Sequence, residues 1–211
     1  MTRILRTSFL LLALAASAAD AQVTYPVDFR VGVSSSSARL SQSLNDALGA
    51  SESFSLRSFD VSLAAAAGEA GIGGRLSEGK PGAAQFKHRE ARIFLGQNWF
   101  RVEAAYGDRT VYSGDTTALF SRVGIRSTVP IGGTGISLGV AGSKYLQGNF
   151  TSDAGKVNPT GWEGETSIYY TVKQIPIFAQ LGYRVEHFSY RASADYMRGI
   201  VFGGGLWLGG R

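Results

Sequence analysis

The fold is decided by residues 177–187, which read IFAQLGYRVEH. The odd-numbered positions carry Ile, Ala, Leu, Tyr, Val and His, whereas the even-numbered positions carry Phe, Gln, Gly, Arg and Glu. Successive side chains of a β-strand point to opposite faces of the sheet, so this segment predicts a strand with one apolar face and one charged face.

The same period of two recurs from Phe59 to the C-terminal end and predicts eight strands of about 11 to 18 residues. Strands of this length are long for a soluble protein and are typical of tilted strands that cross a bilayer. In the first of them, Ile72 and Leu76 fall out of phase with Phe59. A β-bulge near Gly68 or Gly71 is therefore predicted. The predicted strands are Phe59–Leu76, Phe86–Gly96, Trp99–Val111, Ala118–Val129, Thr134–Leu146, Trp162–Lys173, Ile177–Phe188 and Tyr196–Leu208.

The connections between these strands alternate between short and long. The short connections are tight turns at Gln97–Asn98, Pro130–Gly133 and Gln174–Pro176. The long connections, rich in Gly, Ser, Asp, Lys and Thr, are Ser77–Gln85, Tyr112–Thr117, Gln147–Gly161 and Ser189–Asp195. An up-and-down barrel with one rim in the periplasm and the other outside has this alternation. The sequence therefore predicts an all-β fold, an eight-stranded antiparallel up-and-down transmembrane β-barrel over residues 57–211.

Residues 1–21 have the three parts of a secretory signal peptide. Arg3 and Arg6 form a basic start, and Ser8–Ala16 is an apolar stretch too short to span a bilayer. Ala19–Ala21 then has small residues at both positions that signal peptidase reads. Cleavage before Gln22 and export from the cytoplasm are therefore predicted.

Residues 22–56 differ in pattern from the rest of the chain. Leu40, Leu44 and Leu48 recur every four residues, which predicts a short amphipathic helix over Ala38–Leu48. The sequence therefore predicts a periplasmic N-terminal extension that contains a short helix and precedes the barrel.

Composition excludes several functional classes. The chain has 211 residues and no Cys, so disulfides, thiol catalysis and cysteine-ligated metal clusters are excluded. After the first 21 residues no 18 apolar residues run together, so no transmembrane helix is encoded. The formal net charge is only +5, and no basic run is interleaved with stacking aromatics, so no nucleic-acid partner is expected. No cofactor and no metal site is predicted, because Asp108, Asp115 and Asp153 lie in separate loops without calcium-loop spacing.

Alternation by itself leaves two alternatives for the direction of the apolar face. An apolar face toward the barrel axis would make a soluble, lipocalin-like periplasmic carrier, whereas the opposite facing would make a membrane barrel with a polar interior. The loop asymmetry favours the membrane barrel, as do aromatic residues near the strand ends, which are typical of interfacial girdles. These aromatic residues are Trp99, Tyr106, Tyr112, Tyr145, Trp162, Tyr183, Tyr190, Tyr196 and Trp207.

The charges of the polar face also favour an enclosed lumen. Six acidic and six basic residues alternate with the apolar positions of the predicted strands. A closed interior requires such a balance, because each unpaired buried ion costs several kcal/mol. The predicted network fills the lumen and leaves no open pore; its members are Asp60, Glu90, Arg92, Arg101, Glu103, Arg122, Arg126, Glu163, Glu165, Lys173, Arg184 and Glu186.

From Phe59 onward the strand pattern resembles the small eight-stranded outer-membrane barrels of Gram-negative bacteria, the OmpX-like and OmpA-transmembrane-domain-like group. The resemblance implies a monomer in the cell outer membrane with a structural or surface-interaction role. It also implies contact with outer-membrane lipid and lipopolysaccharide, and insertion by the barrel-assembly machinery. The group usually ends in an aromatic residue, whereas here the last aromatic, Trp207, lies four residues before Arg211.

Two side chains of one predicted strand form a candidate catalytic pair. His187 and Ser189 lie two residues apart on the lipid-facing side, and Asp195 opens the next strand. A base, a hydroxyl nucleophile and an acid at one site would suit acyl transfer. The pair resembles the His-x-Ser dyad of the outer-membrane lipid A deacylases, which implies an acyl hydrolase. This chain departs from that family, because Tyr190-Arg191-Ala192 stands where the family has an Asn-Ala-Gly run. The alternative is that His187 and Ser189 are a polar pair at the rim without a catalytic role.

Overall fold

The structure is a computed structural model that describes most of the chain after residue 26. The described residues are 27–44, 47–65, 70–82, 85–97, 99–110, 117–146, 150–152, 155–157, 159–172, 175–190 and 193–208. The predicted signal peptide lies outside these residues. Among the described residues, no helix is long and apolar enough to cross a membrane.

Twelve β-strands run through the described residues, and ten of them close into one antiparallel barrel. Each barrel strand pairs with its neighbours in chain order, and the first pairs with the last. Two short strands, β8 and β9, form a separate hairpin between β7 and β10. The strands are β1 (Val27–Leu44), β2 (Ala47–Ala65), β3 (Ala70–Gly79), β4 (Phe86–Gln97), β5 (Phe100–Thr110), β6 (Thr117–Pro130), β7 (Ile136–Leu146), β8 (Phe150–Ser152), β9 (Gly155–Val157), β10 (Thr160–Thr171), β11 (Ile177–Tyr190) and β12 (Ser193–Leu208).

The all-β up-and-down barrel is confirmed, but the predicted number of eight strands is wrong. The segment Phe59–Leu76 is not one bulged strand; it contains the end of β2 and most of β3, which pair with each other. Leu63 lies opposite Ile72 in this pair, so the chain reverses between them. Because the chain reverses, the outward residues have odd numbers in β2 and even numbers in β3. This change explains why Ile72 and Leu76 are out of phase with Phe59, without a bulge.

The predicted N-terminal helix is also wrong, and residues 27–56 are not an extension. β1 covers Val27–Leu44 and closes the barrel by pairing with both β2 and β12. A spacing of four residues is also a multiple of two, so the repeat of Leu40, Leu44 and Leu48 fits a strand as well as a helix. Leu40 is buried inside the barrel, where cross-strand packing decides in favour of the strand.

The register fixes the tilt of the strands. A path that starts at Trp162 and steps from each residue to its register partner on the next strand reaches β1 in both directions around the barrel. In one direction the path passes His187 and Tyr196 and ends at Ser41. In the other direction it ends at Phe29, so the two end points on β1 are 12 residues apart. With about 3.3 Å per residue and about 4.8 Å between strands, this displacement tilts ten strands by roughly 40° from the barrel axis.

The lower half of the barrel, where β1 begins and β12 ends, has an apolar outer surface. Leu181, Val123 and Ile168, on three different strands, are 56 %, 41 % and 50 % exposed and point away from the barrel axis. The outward apolar side chains together form what we term the apolar belt. Its larger members are Val33, Phe59, Leu63, Ile72, Leu76, Ile93, Leu95, Phe100, Val102, Tyr106, Val123, Ile125, Val129, Ile136, Leu138, Val140, Ile168, Tyr170, Leu181, Tyr183, Ile200 and Phe202.

The apolar belt has the height of a membrane core. On β11 it runs from Ile177 to Val185. At about 3.3 Å per residue and a tilt of roughly 40°, this span corresponds to about 20 Å along the barrel axis. Outer-membrane barrels carry an apolar band of about 25 Å.

Above the belt the two faces of the same strands exchange character. On β1, Val33 faces outward in the belt, whereas Arg39 faces outward above it. The inward residues Ala38 and Leu40 of that upper part are only 3 % and 1 % exposed. β2 repeats the exchange, with Phe54 and other apolar residues inside and Ser51, Ser53 and Ser55 outside. The strands therefore rise out of the apolar belt as a water-facing barrel with its own apolar interior.

A charge introduced into the belt tests this assignment. We expect Leu181→Arg, in the middle of the belt, to lower the free energy of unfolding in lipid bilayers by about 2–4 kcal/mol, as midplane charges do in such barrels. Ser189→Arg, on the same face of β11 but above the belt, is the matched control and should change it little. Reversible urea unfolding in bilayers measures both variants, and equal effects would contradict the proposed level of the belt.

Candidate functional site

The inner face of the barrel carries charged side chains at positions that alternate with the apolar belt. Nine carboxylates and eight guanidiniums lie on the inner face of the described strands. The nearly equal numbers allow charge pairing, which burial demands. The carboxylates are Asp28, Glu52, Asp60, Glu90, Glu103, Glu163, Glu165, Glu186 and Asp195, and the guanidiniums are Arg30, Arg75, Arg92, Arg101, Arg109, Arg122, Arg126 and Arg184.

Glu90 is the centre of this network. Arg122 of β6 donates from Nε and Nη2 to its two carboxylate oxygens, at 2.8 and 2.6 Å. Arg75 and Arg92 approach the same carboxylate at 3.9 and 3.6 Å, and His88 Nε2 lies 3.3 Å from it. The side chain of Glu90 is 0 % exposed, so the three arginines and the imidazole replace the water that it loses.

One ion pair crosses the whole lumen. Arg75 Nη1 donates to Glu163 Oε1 at 2.9 Å, and the two residues belong to β3 and β10, which are five strands apart in either direction around the barrel. Next to Glu163 on the same face, Glu165 accepts from Arg184 Nη2 at 2.6 Å. Because opposite walls are bonded through the centre, the lumen is filled at this level.

The lower lumen has two further carboxylate–arginine groups. Asp60 accepts from Arg92 Nη2 at 2.5 Å. Glu103 Oε1 accepts from Arg101 Nε at 2.8 Å and from Arg126 Nε at 3.2 Å. A cavity of about 50 Å³ remains among these arginines. Since one water needs about 10–15 Å³ by the same measure, the cavity has room for a few waters.

Aromatic rings close the lower mouth around Arg30. Its guanidinium carbon lies 4.2 Å from the ring centre of Phe178, 4.8 Å from that of Tyr169 and 5.5 Å from that of Trp207. The Trp207 indole donates from Nε1 to Asp28 Oδ1 at 2.8 Å. Stacking over aromatic faces stabilises a guanidinium that is partly removed from water.

The upper mouth is closed by an apolar layer that contains one buried arginine. Arg109 lies 5.0 Å from the ring centre of Phe86 and 4.5 Å from that of Phe188. Its guanidinium donates to Glu186 and, at 3.5 Å, to Asp195. Around it pack two buried clusters, which consist of Ala118, Phe120, Tyr145, Phe188 and Tyr190, and of Ala38, Leu40, Phe54, Leu56, Phe86 and Met197.

The structure places eleven of the twelve predicted lumen residues on the inner face, and Lys173 lies outside the described residues. Sequence reasoning missed several network residues. Arg75 fell in the blurred first segment, and Asp28 and Arg30 fell in the predicted extension. Arg109 was not singled out, although it alternates in phase with Arg101 and Glu103 on one strand. That alternation was the signal that could have found it.

The predicted convergence of His187, Ser189 and Asp195 is wrong. His187 and Ser189 face outward on β11, where His187 stacks on Trp162 with ring centres 6.4 Å apart. Asp195 lies on the inner face of β12 and is 0 % exposed beside Arg109. The barrel wall therefore separates the acid from the other two side chains. His88 lies in the lumen, with its ring centre 5.0 Å from that of Phe120.

The predicted aromatic girdle divides between the two faces. Trp99, Tyr106, Trp162, Tyr183 and Tyr196 are exposed on the outside. Tyr145, Tyr190 and Trp207 instead point inward and help to close the mouths, and Tyr112 lies outside the described residues. The strand ends carry both outward and inward aromatics, so position near a strand end did not settle the face.

No protein-family model matches this chain, and no curated protein matches it. Among solved structures, the outer membrane protein OpdK from Pseudomonas aeruginosa is 13 % identical with a TM-score of 0.32, covering 89 % of this chain and 68 % of its own. The translocator domain of the autotransporter NalP from Neisseria meningitidis is 13 % identical with a TM-score of 0.27, covering 97 % and 95 %.

The ion pair that crosses the lumen can be tested by removing one partner. We expect Arg75→Met to lower the free energy of unfolding by about 3–5 kcal/mol, because Glu163 then stays buried without its nearest cation. Arg75→Met combined with Glu163→Met should recover most of this loss, since an apolar pair leaves no buried charge. Arg89→Met, which removes an exposed arginine paired with Asp108 on the outside, should change stability little. Denaturant unfolding in one lipid system compares the three variants, and an Arg75→Met effect as small as that of Arg89→Met would contradict the role of the pair.

Proposed function

We propose that this protein is a monomeric integral outer-membrane β-barrel with a closed lumen and a structural or surface-interaction role. The observation that carries the proposal is the exchange of faces at one level of the barrel. Below that level the outside is apolar and the inside is charged, and above it the outside is polar and the inside is mostly apolar, with Arg109 and its two carboxylate partners enclosed. One solvent cannot favour both an apolar and a polar outer surface. A bilayer around the lower part favours the apolar surface, and water around the upper part favours the polar surface.

The soluble carrier that the sequence left open receives no support from this arrangement. A carrier in water would bury its apolar strand faces in a ligand cavity. Here Ile93, Leu95 and Phe202 are each more than half exposed on the outside. A continuous exposed apolar surface of this extent marks contact with a membrane or a partner, and its closed ring around the barrel favours the membrane.

The two ends of the barrel differ in a way that supports an orientation. β1 begins and β12 ends at the lower end, where residues 98–99 and 131–135 make two of the connections. At the upper end, residues 147–159 connect β7 to β10 and include the hairpin of β8 and β9. The upper end also has two connections of only two residues, 45–46 and 191–192, so the orientation rests on residues 147–159, the longest connection between barrel strands. Because outer-membrane barrels have short periplasmic turns and their longer loops outside, the proposal places the upper end outside the cell. The connection between β7 and β10 is then the best candidate for contacting external partners.

Closure of the sheet supports the monomer. The pairing of β1 with β12 leaves no barrel strand with an unpaired edge. A closed barrel satisfies its backbone hydrogen bonds without a second chain. Export through a cleaved signal peptide in residues 1–21 and insertion by the barrel-assembly machinery complete the proposal.

Membrane fractionation with a gel assay tests the proposed location. We expect the protein to sediment with outer membranes, to resist extraction by high salt and to require detergent for release. A folded barrel should also migrate differently on gels before and after heating. Release into buffer without detergent, together with unchanged migration after heating, would contradict the proposal.

Conductance in planar bilayers tests the closed lumen. The wild-type barrel should show no discrete conductance steps, because the ion pair of Arg75 and Glu163 crosses its centre and aromatic rings close both mouths. Steady wild-type conductance of ion-channel size would show that the lumen is open.

A further inference from the structure

The outer surface just above the apolar belt carries a group of arginines and serines on three neighbouring strands. We term it the arginine–serine patch, and it lies on β12, β1 and β2. Its members all face outward and are exposed; they are Arg39, Arg198, Ser37, Ser51, Ser53 and Ser55.

Two like charges face each other directly in this patch. Arg39 and Arg198 are register partners in the antiparallel pair of β1 and β12. Directly opposed side chains of such a pair have Cβ atoms about 4.5–5.5 Å apart, so two cations at these positions repel. Among the described side chains of β11, β12, β1 and β2, no Asp or Glu faces outward to offset this repulsion.

The serines are positioned to complete an anion site. Ser51 Oγ accepts from Arg39 Nε at 3.0 Å and from Nη2 at 2.7 Å, which holds this guanidinium against the sheet. Because that oxygen already accepts from Arg39, its hydroxyl proton is directed elsewhere. Ser53, the register partner of Arg39 on β2, adds another hydroxyl donor on the same face. Guanidinium and hydroxyl donors together are the groups that bind phosphate oxygens.

The two other described arginines that face outward, Arg57 and Arg89, lie opposite carboxylates in the register. Arg89 of β4 donates from Nε to Asp108 Oδ1 of β5 at 2.8 Å. Arg57 lies opposite Glu78 in the register of β2 and β3. Among the described arginines that face outward, only Arg39 and Arg198 lack a carboxylate opposite them, and these two face each other, which favours an anionic ligand at this place.

The level of the patch points to a lipid headgroup. Ile200 of the apolar belt lies two residues below Arg198 on the same face of β12. If the belt contacts acyl chains, as the proposed function holds, side chains immediately above it lie in the plane of the headgroups. The upper end is the outer end in that orientation, so the headgroups belong to the outer leaflet.

We propose that the arginine–serine patch binds the phosphate of a phosphorylated glycolipid in the outer leaflet, with Arg39 and Arg198 supplying the positive charge. This inference rests on the proposed function for its orientation and its bilayer level. The phosphate offsets the repulsion of the two guanidiniums and accepts from the neighbouring serine hydroxyls.

Native mass spectrometry of the full folded barrel, released from detergent with added lipid, tests the proposal. The probes are bisphosphorylated lipid A and dephosphorylated lipid A. We expect the double variant Arg39→Gln and Arg198→Gln to lose about tenfold or more in affinity for the bisphosphorylated lipid, as removal of charge-assisted phosphate contacts implies. Arg89→Gln removes one charge at the same level and is the matched control, with wild-type affinity expected.

Two comparisons distinguish recognition of the lipid phosphate from binding of the acyl chains and from binding of free phosphate. Dephosphorylated lipid A should bind wild type and double variant equally weakly, and millimolar inorganic phosphate should not displace the bisphosphorylated lipid. Equal loss in the double variant and in Arg89→Gln, or full displacement by inorganic phosphate, would overturn the proposal. The change in gel migration on heating shows for each variant whether the barrel is folded. A variant that does not fold is thereby distinguished from a folded barrel that does not select the phosphorylated lipid.

Discussion

The rest of the structure depends on the pairing of buried charges across the lumen, above all of Arg75 with Glu163. A barrel that turns its apolar side chains outward has to enclose the alternating polar ones, and each ion left alone there would cost several kcal/mol. The pair joins β3 to β10, which lie on opposite sides of the barrel. Glu90 ties β4 to β6 through Arg122 in the same way. The lumen is thus a polar core, held by directional bonds instead of by apolar packing.

The same strands satisfy two environments along their length. In the apolar belt, residues such as Val33 and Phe59 face outward, while Ser34 and Asp60 face inward. Higher on these strands the inward side chains are Leu40, Phe54 and Leu56, which pack like the core of a soluble barrel. Strands as long as β1 and β2 have room for both arrangements, and the level at which the faces exchange marks the proposed membrane surface.

A filled interior places the functional surfaces on the outside of the barrel. The lower mouth is closed by rings around Arg30, and the upper mouth by rings around Arg109. His187 and Ser189 remain on the outer wall, but their presumed acid partner, Asp195, is committed to the lumen. The connection between β7 and β10 and the arginine–serine patch are the surfaces that we propose for interactions with partners and lipids.

The period of two in the sequence by itself determined the all-β barrel, the direction of alternation in strands such as Ile177–Tyr190, and most charges of the lumen. It did so because alternation follows from strand geometry alone. The tertiary structure decided what local spacing leaves ambiguous. The leucines at Leu40, Leu44 and Leu48 satisfy helix and strand alike, and the phase change at Ile72 fits a bulge or a reversal. Closure of the sheet, which pairs β1 with both β2 and β12, sets the number of strands at ten. The register around the closed ring brings Arg75 opposite Glu163. These two residues are 88 positions apart in the chain, so no local pattern in the sequence could indicate their contact.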